Sequence, residues 1–518
     1  MTGVSAAACA ASLLFISGHP LFRYPVVDAA WHFNWASRVA SGEFLAYAPF
    51  FRAPLYPWLL GLAYSFFGSG PFTGAALSLL LTCSGAVLFH RLALRMMPAP
   101  WALAAGLAWA LWGTSVFYST QLLIEPLYIT LLLAALLLIT GERRGWAGWL
   151  ALGLAAAARP TALLLVPAAW LAAGRPKLRR MLLVLVPVAA VWLCNAMTGD
   201  PMTLISSQGG VNLYIGNSLR SDGCTAFAPA EVSGIAPPGD GSYVDNVQLA
   251  SIAAYPEEPS GSGVSSRWTA RTVSEVLSNP PRWLALMGMK LIYFLSPVEI
   301  PSNYDPYYYR SFSPVLRLLL QPPPAALPWL LLWVLLPGAL AAGAGGGGRA
   351  SLGAGLFGLI LAAGTILFFV TARFRLPAAP FLLLWMMSRA CRAPRRALLL
   401  APAGAVAGIA LGFLTAGTVE TSGVNMPFHD GCAHFSAELY EEAEPLFMMA
   451  LDRSMARDDI DLNGADAMYN LGLLAARKGD MELARNWWCS ALERRPGYQP
   501  AVSALQALDR LDPGGPLE

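Results

Sequence analysis

The chain has 518 residues, of which 56% are hydrophobic and only 13% charged, whereas an ordinary soluble domain carries about 25% charged residues. That gap excludes a wholly soluble protein. The formal net charge of +3 gives no sign of a nucleic-acid partner, because a membrane protein places its Lys and Arg by side rather than by sum.

Apolar stretches recur at residues 4–19, 72–92, 101–119, 122–140, 145–158, 160–173, 181–197, 326–343, 352–371, 376–388 and 397–416, each bounded by Gly, Pro or charge. Several approach the ~20 residues that cross a hydrocarbon core about 30 Å thick. The expected fold class is all-α, a polytopic helical membrane protein of about eleven spans. Ala6 to Gly18 is apolar like a signal peptide but lacks a preceding basic region, so it reads as a retained first span. Stretches 145–158 and 160–173 are short, and are either two spans or one helix broken at Arg159-Pro160. Residues 283–297 read as interfacial.

Arg91 and Arg95, Arg143 and Arg144, then Arg175, Lys177, Arg179 and Arg180, then Arg349, and finally Arg389, Arg392, Arg395 and Arg396 fall in alternate loops. The positive-inside rule then sets the N-terminus in the cytoplasm and the C-terminus outside. The expected domains are a membrane domain, 1–416, with outer loops 20–71 and 198–325, and an outer domain, 417–518. The second loop is rich in Gly, Ser, Pro and Asp, with a helix-like stretch from Val264 to Leu277, and Gly343 to Gly348 reads as a flexible inner linker. Seven cysteines are scattered singly without metal-type spacing and read as packing residues. Tyr307, Tyr308, Tyr309 and Trp283 read as an interfacial aromatic belt.

In the tail, Gly472, Gly479, Ala484, Trp488, Ala491 and Pro496 sit at the offsets of a helix-turn-helix tetratricopeptide repeat. A degenerate copy precedes it, from Phe435 to Ser454, and a helix from Ala501 to Leu511 is placed to cap the stack. A generic helical hairpin is the plainer reading.

Charge within or beside a span is costly and marks a functional site by default. Asp28, Arg52, Glu125, Arg159, Lys290, Arg373 and Arg375 are such charges on the expected outer side. On composition alone Asp28 reads as a helix N-cap, and Arg52 as an interfacial anchor. His32, one helical turn after Asp28, either tunes that acid or is a satisfied buried histidine.

Four segments carry a family resemblance: Asp28 through Arg52-Ala53-Pro54-Leu55-Tyr56, Leu122 to Leu127 around Glu125-Pro126, Ala158-Arg159-Pro160-Thr161, and Thr371 to Pro377. In this order they resemble the GT-C superfamily of glycosyltransferases, specifically the bacterial relatives of protein O-mannosyltransferases (family 39), aminoarabinose transferases and the Rgt-like group. A stretch similar to Gly209 to Asn217 occurs in members with tetratricopeptide tails. The resemblance implies a bacterial inner (plasma) membrane enzyme moving a hexosyl or pentosyl unit from a polyprenyl-phosphate donor to an acceptor hydroxyl on the extracytoplasmic side, with inversion. It implies Asp28 as general base, Glu125 as a second acid, and Arg52, Arg159, Lys290, Arg373 and Arg375 as donor-phosphate candidates. His32, Tyr56, Asn212, Tyr214 and Asn217 are candidate substrate contacts.

Many mannosyltransferase relatives carry an Asp-Glu pair where this chain has Asp28-Ala29. No metal and no cofactor is therefore expected, and a divalent cation has no support in the sequence. The acceptor is a glycan, lipid or protein, and the repeat domain is suited to a protein partner. Two other readings stand beside this one: an O-antigen ligase or polymerase, and a non-catalytic scaffold or flippase whose tail recruits partners.

Overall fold

The computed structural model describes residues 1–44, 48–141, 145–174, 176–225, 246–321, 328–342, 348–421, 425–456 and 463–511. Arg143, Arg144 and Arg175 of the orientation argument lie outside these residues, as does nearly all of the glycine run 343–348. Every regular element among the described residues is helical, so the chain is an all-α membrane protein. Its compact units are two: residues 1–16, 32–226 and 257–422 form the first, and 17–31, 227–256 and 423–518 the second.

Each of the eleven expected apolar stretches contains a helix, but their lengths differ from the expectation. Among the described residues, four helices are long and apolar enough to cross a membrane: Pro71–Met96, Leu178–Met197, Gly348–Leu367 and Arg395–Thr415. Others are shorter, among them Ala99–Ala110, Glu125–Ile139, Gly145–Ala158, Pro160–Ala173 and Trp329–Ala341. At 1.5 Å per residue a 13-residue helix reaches only about 20 Å. Local breakers explain the shortening. Stretch 101–119 divides after Ala110, where Leu111 and Trp112 leave helical geometry before Gly113. Arg159 is extended at φ −150° and Pro160 opens a 3₁₀ turn, so 145–173 is two helices rather than one.

In the first unit, Pro71–Met96 packs on Ala99–Ala110 and Glu125–Ile139, and Glu125–Ile139 packs on Gly145–Ala158. Gly348–Leu367 and Trp329–Ala341 both pack on Ala379–Ala390. The expected stretch 264–277 is the helix Gly261–Ser278, and the interfacial segment is Pro280–Leu295, which buries Leu286, Lys290 and Phe294 on one stripe. The tyrosines after it are placed differently from a belt. Tyr309 is buried against Phe117, with ring centroids 5.0 Å apart, and Tyr307 Oη accepts the Glu299 N–H at 2.9 Å.

The second unit contains the helical pairs Met426–Ser436 with Tyr440–Met455 and Gly464–Arg477 with Met481–Arg494, followed by Gln499–Leu511. Its core gathers Phe447, Leu471, Leu474, Trp488, Tyr498 and Leu508. Gly472 faces the Trp488 indole so closely that an added Cβ would collide with it, and Gly431 faces the Phe447 ring in the same way. The two glycine–aromatic pairs have the same sequence spacing, so the two hairpins share one packing solution. Trp488 Nε1 also donates to Tyr469 O at 3.2 Å, satisfying a buried indole.

Candidate functional site

Within the first unit, three of the four resembling segments converge on one carboxylate. Glu125 opens the helix Glu125–Ile139 with Pro126 behind it, a position where a carboxylate is stabilised by the helix N-terminus and Pro loses no hydrogen bond. It is 0% exposed. Its Oε1 accepts from Arg159 Nη2 at 2.7 Å and from Arg373 Nε at 2.8 Å. Two guanidinium groups meet one carboxylate oxygen in an apolar surround, where an unpaired charge would be prohibitive.

Glu125 Oε2 is buried and meets no hydrogen-bond partner among the described residues, and neither does Tyr118 Oη. Both residues border a cavity of about 10 Å³, shared with Ser115, Thr130 and Leu376, which is about the size of one water. Arg159 lies at the break before Pro160, and its guanidinium stands over Tyr128 at 5.1 Å and over Phe374 at 5.2 Å. Its side chain is 16% exposed against 5% for Arg373. Of the pair, Arg159 is the cation that reaches the surface of the unit.

Arg375, expected beside Arg373 as a phosphate ligand, is committed to the protein. It is 0% exposed. Nε and Nη2 donate to Glu299 Oε2 at 3.2 and 2.7 Å, Nη1 donates to Ser296 O at 2.6 Å with longer contacts to Tyr293 O and Phe294 O, and Nη2 donates to Val298 O. All five guanidinium N–H groups have acceptors. Glu299 was not among the sequence candidates. It is buried, takes a hydrogen bond from Thr114 Oγ1, and fixes the turn after Pro280–Leu295.

Lys290 is likewise enclosed. Its Nζ donates to Asn217 Oδ1 at 3.1 Å, as does Trp283 Nε1 at 3.1 Å, while Asn217 Nδ2 donates to Leu213 O at 2.9 Å and Leu367 O at 2.8 Å. With both ends of its amide used, Asn217 is a junction between helices Gly209–Asn217, Pro280–Leu295 and Gly348–Leu367. Burial pushes the Lys290 ammonium down to about 7, and the nearby Asp222 carboxylate pulls the other way. Tyr214 packs on Trp268 with ring centroids 4.7 Å apart and lies under Arg271 at 4.7 Å. Lys290, Asn217 and Tyr214 thus hold the loop region together, whereas Asn212 is only half-buried on the same helix. A Cβ at Gly216 would collide with the Phe368 carbonyl, which explains the glycine there.

Arg52 sits in a segment pinned from both sides. Ser207 N–H donates to Phe50 O at 3.1 Å and Gln208 N–H to Phe51 O at 3.2 Å, while Phe50 N–H donates to Asn195 Oδ1 at 2.8 Å. The Arg52 segment is therefore joined to the start of helix Gly209–Asn217. His32 is buried, with Nδ1 2.9 Å from Leu122 O and its ring edge-on to the fully buried Tyr56 at 4.9 Å. Both are packed in the first unit, where His32 ties its helix to the segment that leads into Glu125.

Asp28 belongs to the second unit. It lies in the first turn of helix Val27–Ala40 rather than at an N-cap and is 8% exposed. The residue before it, Val27, has φ +51°, a strained setting for a β-branched side chain.

Two crystal structures of ArnT from Cupriavidus metallidurans are similar to this chain. One, bound to undecaprenyl phosphate, aligns at TM-score 0.41, and the other, in the apo state, at 0.39; each is 14% identical over 98% of this chain and 77% of that one. No family model and no curated protein matches the chain.

Proposed function

We propose that this protein is a GT-C-type membrane glycosyltransferase that moves a sugar from a polyprenyl-phosphate donor to an acceptor hydroxyl on the extracytoplasmic side. The observation that carries the reading is the meeting of Glu125, Arg159 and Arg373. Three separate segments of an apolar chain, each picked out by resemblance, bring an acid and two arginines to one point.

The chemistry needs such a point. The leaving group is a phosphate whose charge grows as the glycosidic bond breaks, so preorganised cations stabilise the transition state more than the ground state. Arg159 and Arg52 are the proposed phosphate ligands, since a planar guanidinium spans two phosphate oxygens. Glu125 orients Arg159 and Arg373 and prevents the two cations from repelling each other apart. Asp28 is the proposed general base: it takes the acceptor's proton as that oxygen attacks the anomeric carbon, a single displacement with inversion. The helical hairpins of the second unit, which share one packing solution, are proposed as tetratricopeptide-like repeats that present the acceptor or its carrier.

The test is a transfer assay on the purified protein with a polyprenyl-phosphate-linked sugar, read as release of polyprenyl phosphate in the presence of acceptor. Asp28→Asn keeps size and removes basicity, so turnover should fall by about 10²–10⁴ while donor affinity stays near wild type. Full turnover in Asp28→Asn would remove Asp28 as the base, and absence of turnover in the wild-type protein would favour the scaffold reading.

A further inference from the structure

The second unit holds a cluster that the transfer chemistry does not use. The short helix Pro20–Arg23 packs on helix Met426–Ser436. His19 caps the first of these, its Nδ1 accepting from Leu21 N–H at 3.4 Å, so that nitrogen is the unprotonated one of the ring. Asp430 and His434 stand one turn apart on the second, on one face. Asp430 Oδ1 lies 3.0 Å from His434 Nδ1 and 3.8 Å from His19 Nδ1. The two imidazoles meet edge to face with centroids 5.4 Å apart. One donor atom from each residue falls within 4.8 Å of both others, around a carboxylate that is itself 3% exposed.

We propose that His19, Asp430 and His434 form a binding site for a divalent cation of the zinc class, with water in the fourth position. Zinc takes imidazole nitrogen at 2.0–2.1 Å and carboxylate oxygen at 2.0–2.2 Å, which sets tetrahedral donors roughly 3.3 Å apart. The two measured separations straddle that value, so capture needs side-chain adjustment on the order of 1 Å. Two nitrogens and one oxygen suit zinc and its first-row neighbours, while Mg²⁺ and Ca²⁺ take oxygen shells. Without the ion, His434 Nδ1–H donates to the Asp430 carbonyl at 2.9 Å and His19 Nδ1 accepts from Leu21 N–H, so capture displaces one proton and both of these bonds. The second imidazole comes from nearly the other end of the chain, and its arrival at the same oxygen is what a cation explains. The bound ion would clip the segment after the first apolar helix to the base of the C-terminal hairpins, closing a very long loop. None of the three residues takes part in the proposed transfer step, so failure of either proposal leaves the other standing.

Full-length protein in nanodiscs, stripped with a chelator, is titrated with Zn²⁺ against a chromophoric competitor and separately with Co²⁺ in the visible range. One equivalent of Zn²⁺ should bind in the presence of millimolar Mg²⁺, and Co²⁺ should give the intense bands of a low-coordinate nitrogen–oxygen site. His19→Ala and His434→Ala should each weaken Zn²⁺ binding about tenfold or more, and the double variant should abolish it along with the Zn²⁺-induced rise in melting temperature. A pale, octahedral Co²⁺ spectrum on the wild-type protein, which needs no variant to fold, would overturn the site. So would stoichiometric Zn²⁺ retained by the double variant.

Discussion

Arg373 and Arg375 leave the same four-residue helix, Ala372–Arg375, and end in different circumstances. Arg373 shares the oxygen of a buried glutamate with Arg159, and that glutamate keeps a second oxygen beside a small cavity. Arg375 and Glu299 instead form a closed pair in which every guanidinium N–H has a carbonyl or carboxylate acceptor. The same residue types at the same depth therefore do two jobs. A buried ion pair whose groups are all used holds backbone in place, whereas Glu125 keeps one carboxylate oxygen that can still accept from a small donor such as water. Removing one partner of a buried pair is costly because it strands the other, so the two sites should separate under mutation.

The largest contrast is in stability. Arg375→Lys replaces five donors in a rigid fork by three on a flexible stem, stranding carbonyls of residues 293–298 and part of Glu299. We expect a loss of about 3–5 kcal/mol in thermal or denaturant unfolding, with Arg373→Lys costing clearly less because one charge still reaches Glu125. Equal losses would erase the distinction. Arg52→Ala should lower transfer by about 10²–10³ and weaken donor binding while leaving the melting temperature nearly unchanged, and Arg52→Lys should recover part of the loss. Unchanged donor binding in Arg52→Ala would make that residue an interfacial anchor.

The smallest effect concerns Lys290. Its folded-state value is about 7 against an ordinary 10.5, so between those values the unfolded chain binds more protons than the folded one. Stability should then rise with pH from about 7 toward 10.5. Below pH 7 the cost of the buried charge is present in full. Lys290→Met should flatten this slope in pH-dependent unfolding, and an unaltered slope would place its origin elsewhere.

Much of this was legible in the sequence for reasons that also explain what was not. Burial and lipid impose an apolar pattern residue by residue, and that pattern marks a helix in each of the eleven expected stretches but passes over the apolar helix Leu55–Phe67, which lies inside the expected outer loop 20–71. The pattern does not set helix length, which depends on breaks such as Arg159-Pro160 and the departure at Leu111 and Trp112. Glu125, Arg159 and Arg373 stood out because charge in an apolar run needs a reason. The same signal could not tell which acid each of Arg373 and Arg375 meets, since Glu125 and Glu299 both lie far along the chain from them. Glu299 lies between Val298 and Ile300 in an irregular segment and carried only one cue: a buried arginine requires an acid. Asn217 was noticed, but as a substrate contact, because nothing local shows that Trp283 and Lys290 both reach its oxygen. The pairing of His19 with Asp430 and His434 was invisible for the same reason, although the one-turn spacing of the latter two is plain.

The claim that the Glu125 cluster serves the donor phosphate is tested most directly by equilibrium binding of a polyprenyl phosphate to the nanodisc-embedded protein. Wild type should bind it, and Arg159→Ala, with its fold verified by melting temperature, should bind it on the order of 10²-fold more weakly, as loss of one charge-assisted phosphate contact implies. Arg159→Ala protein that binds the lipid as tightly as wild type would contradict the account.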